Sequence, residues 1–260
     1  MKNYSVIKHL ISISFLSLVF TFNSLAQVAG AKHTKLVDLF VMGQHEDCYK
    51  KAMKLTESDK YKSESEPYLW VSLCLIELTK DAELEEFFPE VKTKKSALKY
   101  ATKFKKKDDK IKSKDGEYIF DENIDFIYEL MEIGLIEGKS FLAMDNYPKA
   151  SYYYKLVSKL DPQNQEAQLI NGTVLLYNKN KEGQTSVDKA IDYFKTQAEL
   201  GGFSVNPKTE RAFVDGFIYY SKYLEQKGNK SEAFNLIALG IKLDPENQKF
   251  IQRYKQLNAE

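Results

Sequence analysis

The chain has 260 residues, of which 43% are hydrophobic, and 38 Lys and Arg stand against 37 Asp and Glu for a formal net charge of +1. A chain of this length can bury a substantial core, and the balance excludes a protein whose overall field draws in polyanions, leaving only the local distribution of charge as informative. The three histidines and two cysteines are not arranged as the two spaced ligand pairs that a structural zinc site needs.

Lys2, Lys8 and His9 make a basic start, and Leu10–Phe22 is an apolar run broken only by Ser and Thr. Ser24-Leu25-Ala26 then places small residues three back and one back from Gln27. This is the pattern of a cleaved secretory signal over residues 1–26. An apolar run of this length covers only about two-thirds of a bilayer core at ~1.5 Å per residue, which argues against a membrane anchor. Removing residues 1–26 takes away two lysines and no acid, leaving 36 basic against 37 acidic side chains.

Met42–Leu55 reads as a helix after Gly43, with Cys48 at a packed position. His45 and Cys48 of "GQHEDC" stand alone, and a polar helix start followed by a small packed residue accounts for them better than a metal does. Pro67–Leu78 begins with proline, which suits a first helical turn, and reads as a buried helix. Lys95–Phe104 carries Ala97, Ala101 and Phe104 on one helical stripe.

Charge is strongly blocked here. Glu77–Glu90 holds six acids and one Lys, Lys92–Lys114 holds eleven lysines with Asp108 and Asp109, and Asp115–Gly138 holds eight acids with no Lys or Arg. Residues 105–122 have little apolar periodicity and contain Gly116, so they read as a charged linker. Taken alone, the lysine block would suit a polyanionic ligand or membrane surface. It contains no Arg and few aromatics, and a solvated helix face compensated by acidic neighbours is the preferred reading.

Further along, "KLDPQNQ" at Lys159–Gln165 returns as "KLDPENQ" at Lys242–Gln248. Upstream of the first copy Ala150, Tyr154 and Val157 share a helical stripe, and upstream of the second Ala233, Ile237 and Gly240 sit at the same offsets. Each Ala lies twelve residues before the Pro that ends its helix (Pro162, Pro245), and twelve residues further back stand Gly138 and Ser221. Small residues on successive helices permit close backbone approach, and Pro forbids continuation. Gly172, Ala190 and Phe194 repeat the arrangement with a spacing of eighteen, so Tyr177–Ser186 reads as a lengthened loop with Ser186 capping the next helix. Phe250, Ile251, Tyr254 and Leu257 form a terminal apolar stripe. No segment alternates over enough residues to argue for a sheet.

This grammar resembles the tetratricopeptide repeat, a helix–turn–helix unit of about 34 residues. The resemblance implies an all-α, right-handed α-solenoid: degenerate repeats over 32–104, the linker, three repeats over 123–247, and a capping helix over 248–260 that covers the apolar end. It also makes the helices of Cys48 and Cys74 neighbours. Export then permits a disulfide between Cys48 and Cys74, against which stands the reading of two buried free thiols. In this family the first helices line a concave face that takes partner segments. Carried over, that stripe comprises Glu132, Leu135, Lys139 and Leu142, then Glu166, Leu169, Thr173, Leu176 and Tyr177, then Asp215, Ile218, Lys222 and Gln226. One subfamily grips C-terminal carboxylates with Lys, Arg and Asn, but Leu135, Leu169 and Ile170 occupy the corresponding places, so that clamp is not matched.

No catalytic, metal or cofactor motif is present. The expectation is an exported, non-catalytic scaffold or adaptor that needs no cofactor and binds a protein or peptide segment rather than nucleic acid. It would belong to a cell-envelope assembly serving secretion, motility or outer-membrane biogenesis. The Ser-Leu-Ala-Gln junction resembles the export signals of Bacteroidota, which implies a periplasmic or cell-surface location. The alternative function is a periplasmic module that binds a polyanion or membrane surface through Lys92–Lys114.

Overall fold

A computed structural model of the chain describes residues 32–80 and 93–259. The expected export signal of residues 1–26, Lys92 and most of the acidic stretch before it lie outside the described residues. Among the described residues there are eleven α-helices, one short 3-10 helix (Asp121–Asn123) and no strand. The helices are α1 (Thr34–Val41), α2 (His45–Glu57), α3 (Glu66–Leu78), α4 (Thr93–Lys112), α5 (Ile124–Ala143), α6 (Tyr147–Leu160), α7 (Gln165–Tyr177), α8 (Glu182–Leu200), α9 (Glu210–Gln226), α10 (Lys230–Leu243) and α11 (Gln248–Ala259). None of them is long and apolar enough to cross a membrane. The protein is all-α. Residues 32–80 with 103–125 make one compact unit, and 94–102 with 126–259 make a second.

In the first unit, Leu36 and Phe40 of α1 and Cys48 and Ala52 of α2 are buried at i, i+4 spacing, so each short helix buries a single stripe. Gly43, at φ +73°, turns the chain between them. Pro67 sits in the first turn of α3, which is buried on nearly every side. The carboxylate of Glu66 accepts from Trp70 Nε1 at 2.9 Å and from the backbone N–H of Lys32 at 2.9 Å. Cys48 and Cys74 are fully buried side by side as free thiols, and burial, followed by the neighbouring Cys48, pushes the Cys74 thiol far up. The His45 ring packs edge-on against Phe40, with centroids 4.9 Å apart.

Residues 105–122 are not a linker. α4 continues through Lys112, because Phe104 and Asp108 extend the buried stripe begun by Ala97 and Ala101. Asp108 is only 1% exposed. Its carboxylate accepts from Ser65 Oγ at 2.7 Å and from the backbone N–H groups of Ile119 and Phe120 at 2.9 and 2.7 Å. One buried acid thus folds the chain after α4 back onto the helix, and Asp115, at φ +55°, makes the reversal. Sequence alone reads this residue as one more solvated charge.

In the second unit, α7 touches α6, α8 and α9, α9 touches α10 and α11, and α8 touches α10. Successive helices from α6 to α8 and from α9 to α11 therefore pack against one another, and α7 meets α9, α8 meets α10 and α9 meets α11 as well. Small residues set the approaches: a Cβ on Gly138 would stand 2.9 Å from the Tyr154 ring, and Ala150, Ala190 and Ala233 are wholly buried. The repeated phrase is a turn. In the first copy Asn164 Oδ1 accepts from the Ala167 N–H at 2.8 Å, capping α7, and in the second Asn247 Oδ1 accepts from the Lys249 N–H at 3.2 Å. Phe194, Phe213, Phe217 and Phe250 make an aromatic core, with adjacent centroids 5.0 to 5.5 Å apart.

The middle pair departs from expectation. α8 begins at Glu182, leaving a short connection after α7, and Ser186 lies inside α8 instead of capping it. The added residues lengthen the helix: α8 has 19 residues where α6 and α10 have 14. Gly183, which reads as a loop residue, is used for contact, since a Cβ on Gly172 would come within 2.8 Å of its carbonyl oxygen.

Candidate functional site

Four residues of the expected inward stripe come together in a cleft of about 250 Å³ in the second unit. Lys139 enters from α5, and Asp215, Ile218 and Lys222 from α9. Tyr219 completes the α9 face, and Lys249, Gln252, Arg253 and Gln256 form a wall on α11. Those four α11 positions lie 34 residues after Asp215, Ile218, Tyr219 and Lys222 respectively. Both sets follow the i, i+3, i+4, i+7 spacing of one helical face. The terminal helix buries Phe250 and Leu257, as its apolar stripe requires, and also turns a second, polar face into the cleft. Reading it only as a cap misses that contribution; the 34-residue offset is the signal that reveals it.

Lys139 Nζ lies 2.7 Å from Asp215 Oδ1, and Asp215 is 5% exposed. Arg253, equally buried, donates from Nε to Ser221 Oγ at 3.0 Å and from Nη2 to Glu225 Oε2 at 2.6 Å. Ser221 is thus both a small packing residue and a hydrogen-bond partner. Lys222 Nζ lies 5.2 Å from the centroid of the Tyr219 ring, and Lys222 and Lys249 have no ion-pair partner among the described residues. Four cations line the cleft, and two of them are neutralised by Asp215 and Glu225. The surplus favours an anionic or acceptor-rich group, held beside the aliphatic Ile218. Tyr154, buried with an unpartnered hydroxyl among the described residues, is kept protonated first by burial and then by the charge of Asp215.

The rest of the expected stripe is not a groove. Leu135, Leu142, Leu169, Thr173 and Leu176 are buried core, and Glu166 is nearly so. Two contacts close this region. Gly216 brings α9 onto α7, where a Cβ would be 3.0 Å from Leu169 Cδ2, and the Lys139–Asp215 pair joins α5 to α9. Glu132 and Gln226 are exposed but do not line the cleft. Tyr177 is half-buried, stacked on Tyr147 with centroids 4.8 Å apart and planes 7° apart, and its hydroxyl donates to the Tyr219 carbonyl at 3.2 Å. It is a structural residue.

Five lysines of the block are already occupied. Lys94 pairs with Glu137 at 2.9 Å, Lys95 lies 4.3 Å over Tyr152, and Lys112 lies 4.0 Å over Tyr118 and 3.6 Å from Asp121. Lys105 pairs with Asp109, and Lys107 donates to the Lys62 carbonyl. Burial and then the crowd of neighbouring lysines pull the Lys107 ammonium below its usual range.

No protein-family model matches this chain, and no curated protein matches it.

Proposed function

We propose that this protein is an exported tetratricopeptide-type α-solenoid that acts as a non-catalytic periplasmic scaffold, holding a segment of another envelope protein in the cleft between α5, α9 and α11. The single observation that carries the reading is the pair of equivalent faces, Asp215–Lys222 and Lys249–Gln256, set 34 residues apart and lining one cleft. That offset equals the length of the repeat unit. Fixed donors beside an aliphatic contact suit a protein segment with acidic or carbonyl groups. The compensated lysine block is the weaker site, since five of its eleven lysines already have partners.

A photo-crosslinking residue at the exposed position Gln252, introduced in the native cell, would capture the partner. Its affinity would then be measured for native protein and for Lys222→Glu with Lys249→Glu. The double reversal is expected to weaken binding by about tenfold or more without lowering the melting temperature. Unchanged affinity, together with loss of binding when the exposed lysines of α4 are neutralised, would transfer the function to the lysine block.

A further inference from the structure

The side of α9 turned away from the cleft lines a second depression. Tyr220 and Leu224 lie on the helix face opposite Asp215, Ile218, Tyr219 and Lys222. They form the floor of a groove of about 780 Å³ whose walls are α8, with Asp188, Ile191, Asp192 and Lys195, and α10, with Glu232, Asn235, Leu236 and Leu239. We infer that this groove is a docking site for a basic amphipathic helix of a partner protein, independent of the cleft on the other side of α9.

Three features select that occupant. The floor and lower walls are apolar, with Tyr220, Leu224 and Leu236 nearly buried and Ile191 and Leu239 partly so. They offer the surface into which leucine-sized side chains at i, i+3, i+4 and i+7 insert. The rim carries Asp188, Asp192 and Glu232 against Lys195 alone. Among the described residues its only ion pair, Lys195 with Asp192, is along α8 at 3.9 Å, while Asp188 and Glu232 accept there from Gln184 and Asn229. Lysines or arginines flanking an apolar stripe would meet these acids. Both walls are helices whose backbone groups are already paired, so a strand laid here would lose its solvating water without a backbone partner. A helix brings its main-chain bonds with it. The result is a plate with a cationic cleft on one side of α9 and an acidic, apolar groove on the other, able to join two partners of opposite charge.

The probe is a labelled peptide of about 14 residues, four helical turns, with Leu at the i, i+3, i+4, i+7 positions and Lys elsewhere. The controls are the same peptide with Glu for Lys and a scramble of identical composition. Fluorescence anisotropy with the whole chain at about 0.15 M salt is expected to show saturable one-to-one binding of the first peptide only. Asp188→Asn with Asp192→Asn and Glu232→Gln should weaken it about tenfold or more, and Asn235→Trp, which fills the groove from an exposed position, should weaken it comparably. Lys222→Glu with Lys249→Glu should leave it unchanged. The inference is overturned if the scramble or the Glu peptide binds equally well, if no saturable binding occurs, or if the groove variants of unchanged melting temperature retain affinity. Sedimentation showing a dimer of this chain that the same variants dissolve would also overturn it, making the groove a self-interface.

Discussion

Gly172 of α7 and Gly183 of α8 bring two helix backbones into contact, each standing where a side chain would strike the other's carbonyl oxygen. A glycine inside an exposed helix normally weakens it, so replacement by alanine usually stabilises by about 0.5–1 kcal/mol. Here the sign reverses. Gly183→Ala drives a Cβ against backbone atoms of α7, which cannot rotate away, and is expected to destabilise by about 1–3 kcal/mol. Chemical denaturation of the two proteins measures it, and a stabilised variant would show that the helices separate at no cost.

Asp108 holds the segment after α4 through three hydrogen bonds to its buried carboxylate. Asp108→Ala leaves two backbone N–H groups and the Ser65 hydroxyl without their acceptor, at a cost on the order of 3 kcal/mol or more. Asp109→Ala, one residue on, loses an exposed pair with Lys105, worth below about 1 kcal/mol. Denaturation midpoints for the two variants should therefore differ widely, with hydrogen exchange at Ile119 and Phe120 accelerating only in the first.

Tyr177 supports the fold instead of meeting a ligand. Tyr177→Ala removes the stack on Tyr147 and the bond to the Tyr219 carbonyl, and is expected to cost about 2–4 kcal/mol. Tyr177→Phe keeps the stack and should lose about 1 kcal/mol. Melting curves that leave the alanine variant at the native temperature would restore Tyr177 to the cleft.

Glu166 gives a signed pH dependence. Burial, opposed by a backbone hydrogen bond and aided by Asp161, raises its carboxyl above the ordinary 4.5. With the folded value above the unfolded one, the folded state binds the extra proton. Its contribution is fully present below pH 4.5 and is lost as pH rises through the raised folded value. Glu166→Gln, which never charges, should therefore be more stable than native protein at pH 7, the gain vanishing near pH 4. Equal stability of the two proteins across that range would show that the carboxylate is well solvated.

Local signals were legible in the sequence wherever a single helix determines the outcome. The stripe of Ala97, Ala101 and Phe104, the proline opening α3, and the Asp-Pro-x-Asn turns at Asp161–Asn164 and Asp244–Asn247 each depend on residues within a turn or two of one another, and each stands where its periodicity or cap places it. The tertiary structure decided what those helices do to each other. Gly183 carries the same letter whether it loosens a loop or admits a neighbouring backbone, and only the position of Gly172 distinguishes the two. Asp108 is one of many charges in a lysine-rich run until Ser65 and the chain at Ile119–Phe120 fold around it. Leu169 and Thr173 share a face with Glu166, yet they are core because Gly216 lets α9 settle on α7. Helical periodicity shows which side chains share a face; burial depends on how near another helix comes, and small residues far apart in the chain set that distance.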